Sequence, residues 1–554
     1  MGDSPETGTS PAPRRQGKST APLILLAALA VILALGAAAT TSFFRAKPQN
    51  PDKDKNANAK YPELPAGLKD LAGKHFSNWP ANRKPDVVIV LSGEQHGYVQ
   101  PCGCTRPLVG GLERRYNFIK LLRDNDLQVV AADLGDMYGP GKLREQAMMK
   151  FKLTSKALTL MEYSAVSVGQ QEFRIPLINA LAETVLNEKP SYKVLAANLL
   201  GKENFPLDDK TNMIEDGLVT KTALKAGIAG TIGKSVSDNV LKFDPSVQFG
   251  ENWKVLPEVM QKQNPDIRIL LYQGTEEEAK NLLMELPKVA PNSPIPDVIL
   301  CLSPESDPSG EATIVGHSQI IRVGHKGRYV GVIGVFRNQD RSIDLHYNQV
   351  KLDDEFETPK EKADDSPVMK LLEGYTQDVK KKDLLAQWPQ GLHDVQLTFP
   401  KAAYVGSERC KTCHDAEYQI WDASKHADAF KALEDAKRPA NRQFDPECVQ
   451  CHVVGFGYQT GYRDEKRTPN LKGVGCENCH GPGSLHIDDP KNKDYLKAMS
   501  PWKAKPTDHL PDNKVEIAID ARTCQKCHDL DNDPYFKFKD FWPKIAHGPS
   551  VKKK

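Results

Sequence analysis

The pattern of apolar and polar positions divides the chain into an N-terminal apolar run and four regions behind it. Residues 45–84 are rich in Pro, Asn, Lys and Asp and lack apolar periodicity. Such a segment buries too little surface to offset its ordering entropy, so we predict a disordered tether. Short apolar runs alternate with helical periodicity over residues 85–350. A charged connector with one amphipathic helix occupies 351–400, and residues 401–554 contain few long apolar runs.

Alternating strands and helices in residues 85–350 predict a layered α/β domain. Residues 87–91 form a short apolar run of the kind that makes a buried strand. Apolar residues then recur at helical spacing from Leu112 to Leu122, and a second helix is predicted over 143–163. The further predicted strands are 129–132, 165–168, 193–199, 267–272, 298–302, 320–323 and 330–336.

The N-terminal apolar run predicts export from the cytoplasm. Basic residues precede it, which places its N-terminal flank, residues 1–20, in the cytoplasm. A signal peptide needs an apolar core of about 7–15 residues. A membrane-spanning helix needs about 20, and the run at 21–44 is nearer this second length. We therefore expect a signal anchor in the inner membrane and a periplasmic location for the rest, with cleavage after residues 37–39 as the alternative.

Length and charge bound the class of protein. A chain of 554 residues with 39% hydrophobic residues can form two or three globular domains. The 74 Lys and Arg residues are balanced by 72 Asp and Glu residues, which leaves a net charge of +2. Because nucleic-acid-binding proteins present a clear excess of positive charge, we expect no nucleic acid partner.

Eight of the eleven cysteines lie in four Cys-x-x-Cys-His units, whose spacing is that of a c-type haem attachment site. The two thiols bond one porphyrin, and the adjacent histidine binds the iron as proximal ligand. Zinc sites and redox-active disulfides also use Cys-x-x-Cys, but neither requires a histidine after each second cysteine. We therefore predict four covalently attached haem c groups. The units are Cys410, Cys413 and His414; Cys448, Cys451 and His452; Cys476, Cys479 and His480; and Cys524, Cys527 and His528.

The sequence around these units resembles the tetrahaem cytochrome c-554 family, which carries electrons from hydroxylamine oxidation. The matching stretches outside the cysteines are Trp421, 425–427, 453–457, 473–475, 481–483 and 536–538. The resemblance implies electron transfer with redox proteins as partners. The distal iron ligands that it implies are His426, His486 and His547. That set leaves the haem on His452 with an open or weakly ligated sixth position. Met499 is a poorer candidate for the sixth ligand of that haem. His509 is expected to be a surface residue.

Local geometry places one of these distal ligands on a different haem. Residues 414–426 are predicted to be helical, and twelve residues of helix span about 18 Å. Two axial nitrogens on one iron are only about 4 Å apart if iron–nitrogen bonds resemble those of zinc. His426 should therefore bind a haem other than the one attached beside His414.

A second series of motifs follows the strands of the α/β domain. The motifs are Glu94-Gln95-His96-Gly97, Gly110-Gly111-Leu112, Gly135-Asp136, Gly169-Gln170-Gln171-Glu172-Phe173 and Ala197-Asn198. Their order resembles the calcineurin-like metallophosphatases, in particular the 5'-nucleotidase branch. The two resemblances together imply a multidomain protein, in which an α/β metallophosphatase-like sandwich precedes a mainly α-helical, loop-rich multihaem cytochrome c domain.

The metal ligands of the metallophosphatases are incomplete in this chain. Their positions are occupied here by Glu94, His96, Asp136, Gln170, Gln171, Gln273 and residues 301–304. At most Glu94, His96 and Asp136 remain as ligands, whereas a two-metal site needs about seven nitrogen and oxygen ligands. We therefore expect no phosphoesterase activity and assign this domain to binding or docking.

Cys102 and Cys104 add soft ligands near the same site. With His96 and Asp136 they can form a non-haem site for zinc or another transition metal. The alternatives are two thiols without a metal, or pairing of one of them with Cys301. His317 and His325 are expected to be ordinary strand or loop histidines.

These patterns together predict an exported, membrane-anchored tetrahaem electron-transfer protein rather than an enzyme. Two alternatives stay open. One is a redox enzyme that acts on a small nitrogen-oxide ligand at the haem with the open position. The other is a metal-dependent hydrolase with a reshaped site at His96, Asp136 and the loop that contains Cys102 and Cys104.

Overall fold

The computed structural model describes residues 61–101, 108–175, 190–201, 214–437, 439–499, 522–529, 532–533 and 535–547. Tyr61–Lys554 form one compact unit. Across the described stretches, no helix combines the length and apolar character needed to cross a membrane. The predicted anchor at 21–44 and residues 45–60 of the predicted tether lie outside the described residues, so the anchor stays a prediction. The tether was predicted to continue to residue 84, but Lys69–His75 form a helix and Leu68, Phe76 and Trp79 are buried, so this second part is folded against the α/β region.

The structure begins with an α/β region and continues into short helices. The strands are β1 (Val87–Ser92), β2 (Val129–Asp133), β3 (Ala165–Ser167), β4 (Lys193–Leu195), β5 (Leu199–Gly201), β6 (Gly217–Val219), β7 (Ala226–Ile232), β8 (Val247–Phe249), β9 (Ile267–Gln273), β10 (Val298–Cys301), β11 (Thr313–Val315), β12 (Ser318–Ile321), β13 (Tyr329–Arg337) and β14 (Ile343–Lys351). The α-helices are α1 (Lys69–His75), α2 (Leu112–Asp124), α3 (Arg144–Leu160), α4 (Lys234–Phe243), α5 (Asn252–Gln263), α6 (Glu276–Val289), α7 (Pro367–Lys381), α8 (Leu384–Gln387), α9 (Asp394–Thr398), α10 (Glu408–Lys411), α11 (Asp415–Asp422), α12 (Ala429–Glu434), α13 (Pro446–Val449), α14 (Cys476–His480), α15 (Ser484–Asp488), α16 (Lys493–Ala498), α17 (Arg522–Gln525) and α18 (Phe538–Phe541). Short 3-10 helices lie at Ala66–Leu68, Gln170–Arg174, Asp354–Phe356, Lys360–Lys362, Arg442–Phe444, Pro469–Leu471 and Trp542–Lys544.

Two six-stranded sheets build the α/β region. The first has the order β14-β13-β1-β2-β3-β4, and the second has the order β11-β12-β10-β9-β7-β6. Strands β1 to β4 run parallel, and β13 joins β1 antiparallel with Ile89 opposite Ile333. Strands β5 and β8 form a separate small sheet. The carboxyl ends of the parallel strands carry the loops that contain the metallophosphatase-like motifs.

Side-chain alternation along β1 explains how the layers pack. Val87, Ile89 and Leu91 belong to an apolar cluster that residues of both sheets share, and Val88 and Val90 belong to a cluster shared with α2 and α3. Because successive side chains point to opposite faces of a strand, a strand that is apolar at every position is buried on both faces. Helices α5 and α6 cover the second sheet in the same way. The predicted α/β sandwich is confirmed.

Strands β6, β7, β8, β11 and β14 are absent from the sequence prediction, and the strand predicted at 193–199 is two strands, β4 and β5. Strand β7 shows the physical reason. It is buried at every position but consists largely of glycine and alanine, so its apolar signal is weak. A Cβ atom at Gly230 would lie 2.8 Å from Leu195 Cβ, and glycine there permits close approach between the sheets.

The amphipathic helix predicted in the connector is α7. Ser366 caps it, since its Oγ accepts a hydrogen bond from Met369 N at 3.3 Å. The apolar residues Val368, Leu372 and Val379 are buried and pack in the same cluster as residues of α2 and α3. Helix α7 therefore packs its apolar face in a cluster that the sandwich and the C-terminal region share.

The C-terminal region consists of short helices and loops, as predicted. One predicted helix is shorter than expected, because α11 ends at Asp422 whereas the prediction continued to residue 426. Ser424 Oγ donates a hydrogen bond to Trp421 O at 2.6 Å and accepts one from His426 N at 3.3 Å. Side-chain hydrogen bonds of this kind compete with helical backbone bonds and favour a turn.

Candidate functional site

Each Cys-x-x-Cys-His unit lies on a short helical turn, in α10, α13, α14 and α17 or directly after them. His414 N donates to Cys410 O at 3.0 Å, and His528 N donates to Cys524 O at 2.9 Å. This turn returns the histidine to the side of the first cysteine, as attachment to one porphyrin requires.

Three of the four proximal histidines face a second imidazole. The ring centres are 6.1 Å apart for His414 and His486, 6.2 Å for His426 and His528, and 6.1 Å for His480 and His547. Two nitrogens on a common iron lie about 4 Å apart if the bonds resemble those of zinc, and roughly 1 Å more on each side reaches the ring centres. The three separations therefore fit a six-coordinate haem iron between each pair.

The facing imidazoles come from different units. His486, which follows the third unit, faces His414 of the first unit, and His547 faces His480 of the third unit. His426 follows the first unit but faces His528 of the fourth unit. These pairs cross-link segments that are far apart in sequence.

His452 differs from the other three proximal histidines. Its Nδ1 lies 2.6 Å from Ala429 O, which leaves Nε2 for an iron, and burial lowers its pKa. In the described part of the chain, the facing imidazole pairs do not include His452. Met499 packs in an apolar cluster with Val395 and Tyr495, and His509 lies outside the described residues.

Hydrogen bonds to ring nitrogens orient two more of these histidines. His528 Nδ1 lies 2.7 Å from the Asp533 carboxylate, and His547 Nδ1 lies 2.8 Å from Ile545 O. Such contacts fix which nitrogen is available to a metal and raise its basicity. The buried Nδ1 of His486 has no hydrogen-bond partner among the described residues. A buried ring nitrogen without a protein partner is expected where a bound haem would supply the partner. The donor set fits haem c.

Cysteines of different units lie in contact. Cys410 of the first unit lies beside Cys476 of the third, and Cys451 of the second lies beside Cys527 of the fourth. Cys479 of the third unit lies near Cys524 and Cys527 of the fourth. The attachment segments are therefore adjacent in the order first, third, fourth, second.

Glu477 fastens the first and third units together. It is the first spacer residue of the third unit and is 3% exposed. Its carboxylate accepts hydrogen bonds from Val405 N, Gly406 N and Gly483 N at 2.7–3.1 Å. Glu477 was not identified from the sequence, because the two residues between the cysteines differ in all four units and the Cys-x-x-Cys-His motif assigns them no role.

The α/β region brings a different set of potential ligands together. Glu94, His96 and His325 each offer a ligand atom within 4.8 Å of the others. His325 Nε2 lies 3.3 Å from Glu94 Oε1 and 2.8 Å from Ser303 O. His325 was expected to be an ordinary histidine, and the structure places it beside His96, with ring centres 5.5 Å apart.

Burial controls the charges in this cluster. It lowers the pKa of His96 to about 4 and raises that of Glu94. The Glu94 hydrogen bond raises the pKa of His325. Glu94 and His96 have φ angles of 50° and 48°, a left-handed conformation that non-glycine residues seldom adopt outside functional sites or tight turns.

Asp136 is the one predicted partner of His96 that lies within the described residues. Asp136 is outside the cluster of three, and its Oδ1 accepts a hydrogen bond from Gln171 N at 2.7 Å. Burial and the nearby Glu172 raise the pKa of Asp136. Cys102 and Cys104 lie outside the described residues. Gln273, at a family ligand position, is fully buried and donates to Leu134 O at 2.7 Å, so it supports a loop.

Comparisons with known proteins separate the two regions. The profile of the family described as cytochrome c554 and c-prime matches residues 409–481. Cytochrome c-554 of Nitrosomonas europaea is 34% identical over 138 residues, which are 23% of this chain and 58% of that relative. The chain thus spans little more than half of the curated relative that it matches.

Solved structures match the other region. A 5'-nucleotidase precursor from Thermus thermophilus is 16% identical with a TM-score of 0.42, over 55% of this chain and 61% of that one. A calcineurin-like phosphoesterase from Bacillus subtilis is 15% identical with a TM-score of 0.40, over 53% and 97%. The C-terminal region of the protein therefore resembles the cytochromes c-554, and the region before it is an α/β sandwich of two six-stranded sheets.

Proposed function

We propose that the protein is a tetrahaem electron carrier that exchanges electrons with redox proteins outside the cytoplasm. The observation that carries this proposal is the set of three facing imidazole pairs, each joining two different segments at 6.1–6.2 Å. Haem c supplies reversible one-electron transfer when it is bound. The histidines hold and orient the iron, and the contacts between units keep neighbouring sites close.

Bis-histidine ligation also sets the expected potentials. Methionine as an axial ligand raises the potential of a c-type haem, so sites with two imidazoles should lie lower. The membrane anchor at 21–44 and the periplasmic location belong to the same proposal, supported by the length of the apolar run and by the site of haem attachment outside the cytoplasm.

His452 supports a second candidate function, the reduction or binding of a small nitrogen oxide at an open coordination position. A reductive titration followed by optical spectroscopy, with and without nitric oxide, separates the two. A pure carrier shows reversible reduction without consumption of nitric oxide. Catalytic consumption would favour the second candidate, and absence of reversible reduction would contradict both.

The α/β region holds a candidate metal site at Glu94, His96 and His325. Two imidazoles and one carboxylate form the donor set of a mononuclear transition-metal centre, and zinc also accepts it. Such a site lacks the second metal of the phosphoesterases, so we expect no phosphoesterase turnover.

Metal analysis tests this site. We expect about one non-haem zinc or copper per chain, retained in His317→Ala, whose histidine side chain is 59% exposed, and lost in His325→Ala, because three protein ligands are the minimum for a stable site. Equal metal contents in the two variants would contradict the site.

The Asp533 carboxylate is expected to lower the potential of the haem held by His528. Its hydrogen bond to Nδ1 increases the basicity of the imidazole and favours the ferric iron. Asp533→Asn should raise that potential by about 20–60 mV, which is a roughly two- to tenfold change in the ferric-to-ferrous ratio. Potentiometric titration measures the shift, and Asp540→Asn, on the exposed face of α18, is the matched control that should leave it unchanged.

A further inference from the structure

The α/β sandwich contacts the segment that carries the second haem-attachment unit. Side chains of helix α3 of the sandwich and helix α7 of the connector contact Asp445 and Glu447 at the start of α13, which contains Cys448. One apolar cluster continues from α2 and α3 through α7 to Val449, Val453 and Val454. The second unit, whose His452 faces no imidazole among the described residues, is therefore joined to the sandwich by a continuous core.

Buried polar contacts sit inside this apolar interface. Gln146 of α3 is 1% exposed, and its Nε2 donates to Asp445 Oδ1 at 2.7 Å and to Tyr375 OH at 2.9 Å. Lys150, one helical turn further along α3, forms an ion pair with Glu447. Because a buried polar group without a partner is strongly destabilising, this network fixes one relative position of α3 and α13.

Asp445 transmits that position to the attachment site. Its Oδ1 accepts a hydrogen bond from Glu447 N at 2.9 Å and so caps α13. Its carbonyl accepts a hydrogen bond from Cys448 N at 3.0 Å. A residue that holds the Asp445 carboxylate therefore also holds the first cysteine of the second unit.

The same contacts balance charge beside the unit. Lys150 has a side-chain exposure of 13%, and it interacts electrostatically with Glu447 and Asp445. Burial acts to lower its pKa, but the two carboxylates raise it above the ordinary value. Lys150 thus stays positive and offsets two negative charges close to the second unit.

We propose that Gln146 and Lys150 are positioning residues through which the α/β sandwich holds the second haem-attachment unit and sets the potential of its haem. The inference rests on the proposed function, since it requires a haem at Cys448, Cys451 and His452. Gln146 orients the cap of α13, and Lys150 counters the carboxylates that favour the ferric form. The sandwich then acts on electron transfer without any hydrolytic chemistry.

Opposite substitutions across the ion pair test the proposal in the full-length holoprotein. Lys150→Met leaves the two carboxylates without a counter-charge and should shift the ferric-to-ferrous ratio of the open haem roughly tenfold toward ferric, about 59 mV for one electron. Glu447→Gln should shift the ratio in the opposite direction. Lys150→Arg should restore the wild-type potential.

The matched control is Lys382→Met. Lys382 forms an exposed ion pair with Glu145, which lies on α3 as Lys150 does, and its replacement should leave the potential of the haem unchanged. Haem content and spin state are measured on every sample. Four haems with unchanged potentials in both Lys150→Met and Glu447→Gln would overturn the inference and leave the proposed function intact. Fewer than four haems in the wild-type protein would overturn the proposed function itself. If Lys150→Met does not fold, the shift in Glu447→Gln alone decides.

Discussion

A second five-coordinate haem is the expected result of replacing His426 by alanine. The imidazole of His426 faces His528 with ring centres 6.2 Å apart, and no other histidine in the described part of the chain pairs with His528 in this way. Removing it leaves the iron with one protein ligand, so the haem should become high-spin and bind carbon monoxide. Its potential should rise by on the order of 100 mV, within the ~0.8 V range that axial ligation covers.

Electron paramagnetic resonance and a carbon monoxide titration measure this change. We expect the number of high-spin haems to increase from one to two and the number of ligand-binding haems to increase equally. His317→Ala, in the α/β region with a 59% exposed side chain, should leave both numbers at one. An unaltered low-spin count in His426→Ala would show that this imidazole is not an iron ligand.

Loss of Glu477 is expected to destabilise the cytochrome-like region more than any other single carboxylate there. Its buried oxygens accept hydrogen bonds from three backbone N–H groups. Each N–H left without a partner in a buried site costs about 1–3 kcal/mol, so Glu477→Ala should lower the free energy of unfolding by roughly 3–9 kcal/mol. Denaturant unfolding followed in the haem absorption band measures the change.

Two further variants distinguish this role from a general effect of charge. Glu477→Gln keeps one acceptor oxygen and should recover part of the lost stability. Asp435→Asn removes a carboxylate that is 63% exposed in an ion pair with Lys431, and it should change stability by no more than about 0.5 kcal/mol. Equal losses in Glu477→Ala and Asp435→Asn would contradict the proposed anchoring role.

The haem-attachment units were predictable from the sequence because covalent chemistry fixes their spacing. Two thiols and a histidine must meet one porphyrin, so the requirement is local and visible in five residues. Apolar runs predicted strands such as β1 and β13 for a similar reason. Their side chains are buried on both faces of a sheet, which leaves a continuous apolar signature.

Contacts between distant segments carried no comparable signal. His325 is separated from Glu94 by more than two hundred residues, and only the fold brings them within 3.3 Å. The partner of His426 depends on the arrangement of the first and fourth units. That His426 binds a haem other than the one beside His414 stays a prediction, and its ring centre lies 6.2 Å from that of His528 although α11 ends early. Strand β7 was missed because close packing selects glycine there, which removes the apolar pattern.

The contacts between α3 and α13 also join segments that are distant in sequence, so the sequence did not predict them. Gln146 and Asp445 are ordinary polar residues in the sequence, and each is expected at the surface. Their burial shows that the two regions are built against each other. The sandwich is therefore connected through these contacts to the segment that carries Cys448.

Haem quantification combined with spin-state counting tests the central claim most directly. Purified protein, matured in a host that attaches c-type haem, is assayed for haem iron per chain and for low-spin and high-spin populations. We expect four haems per chain, three low-spin and one high-spin. A protein with fewer than four covalent haems, or with four low-spin haems, would contradict the account.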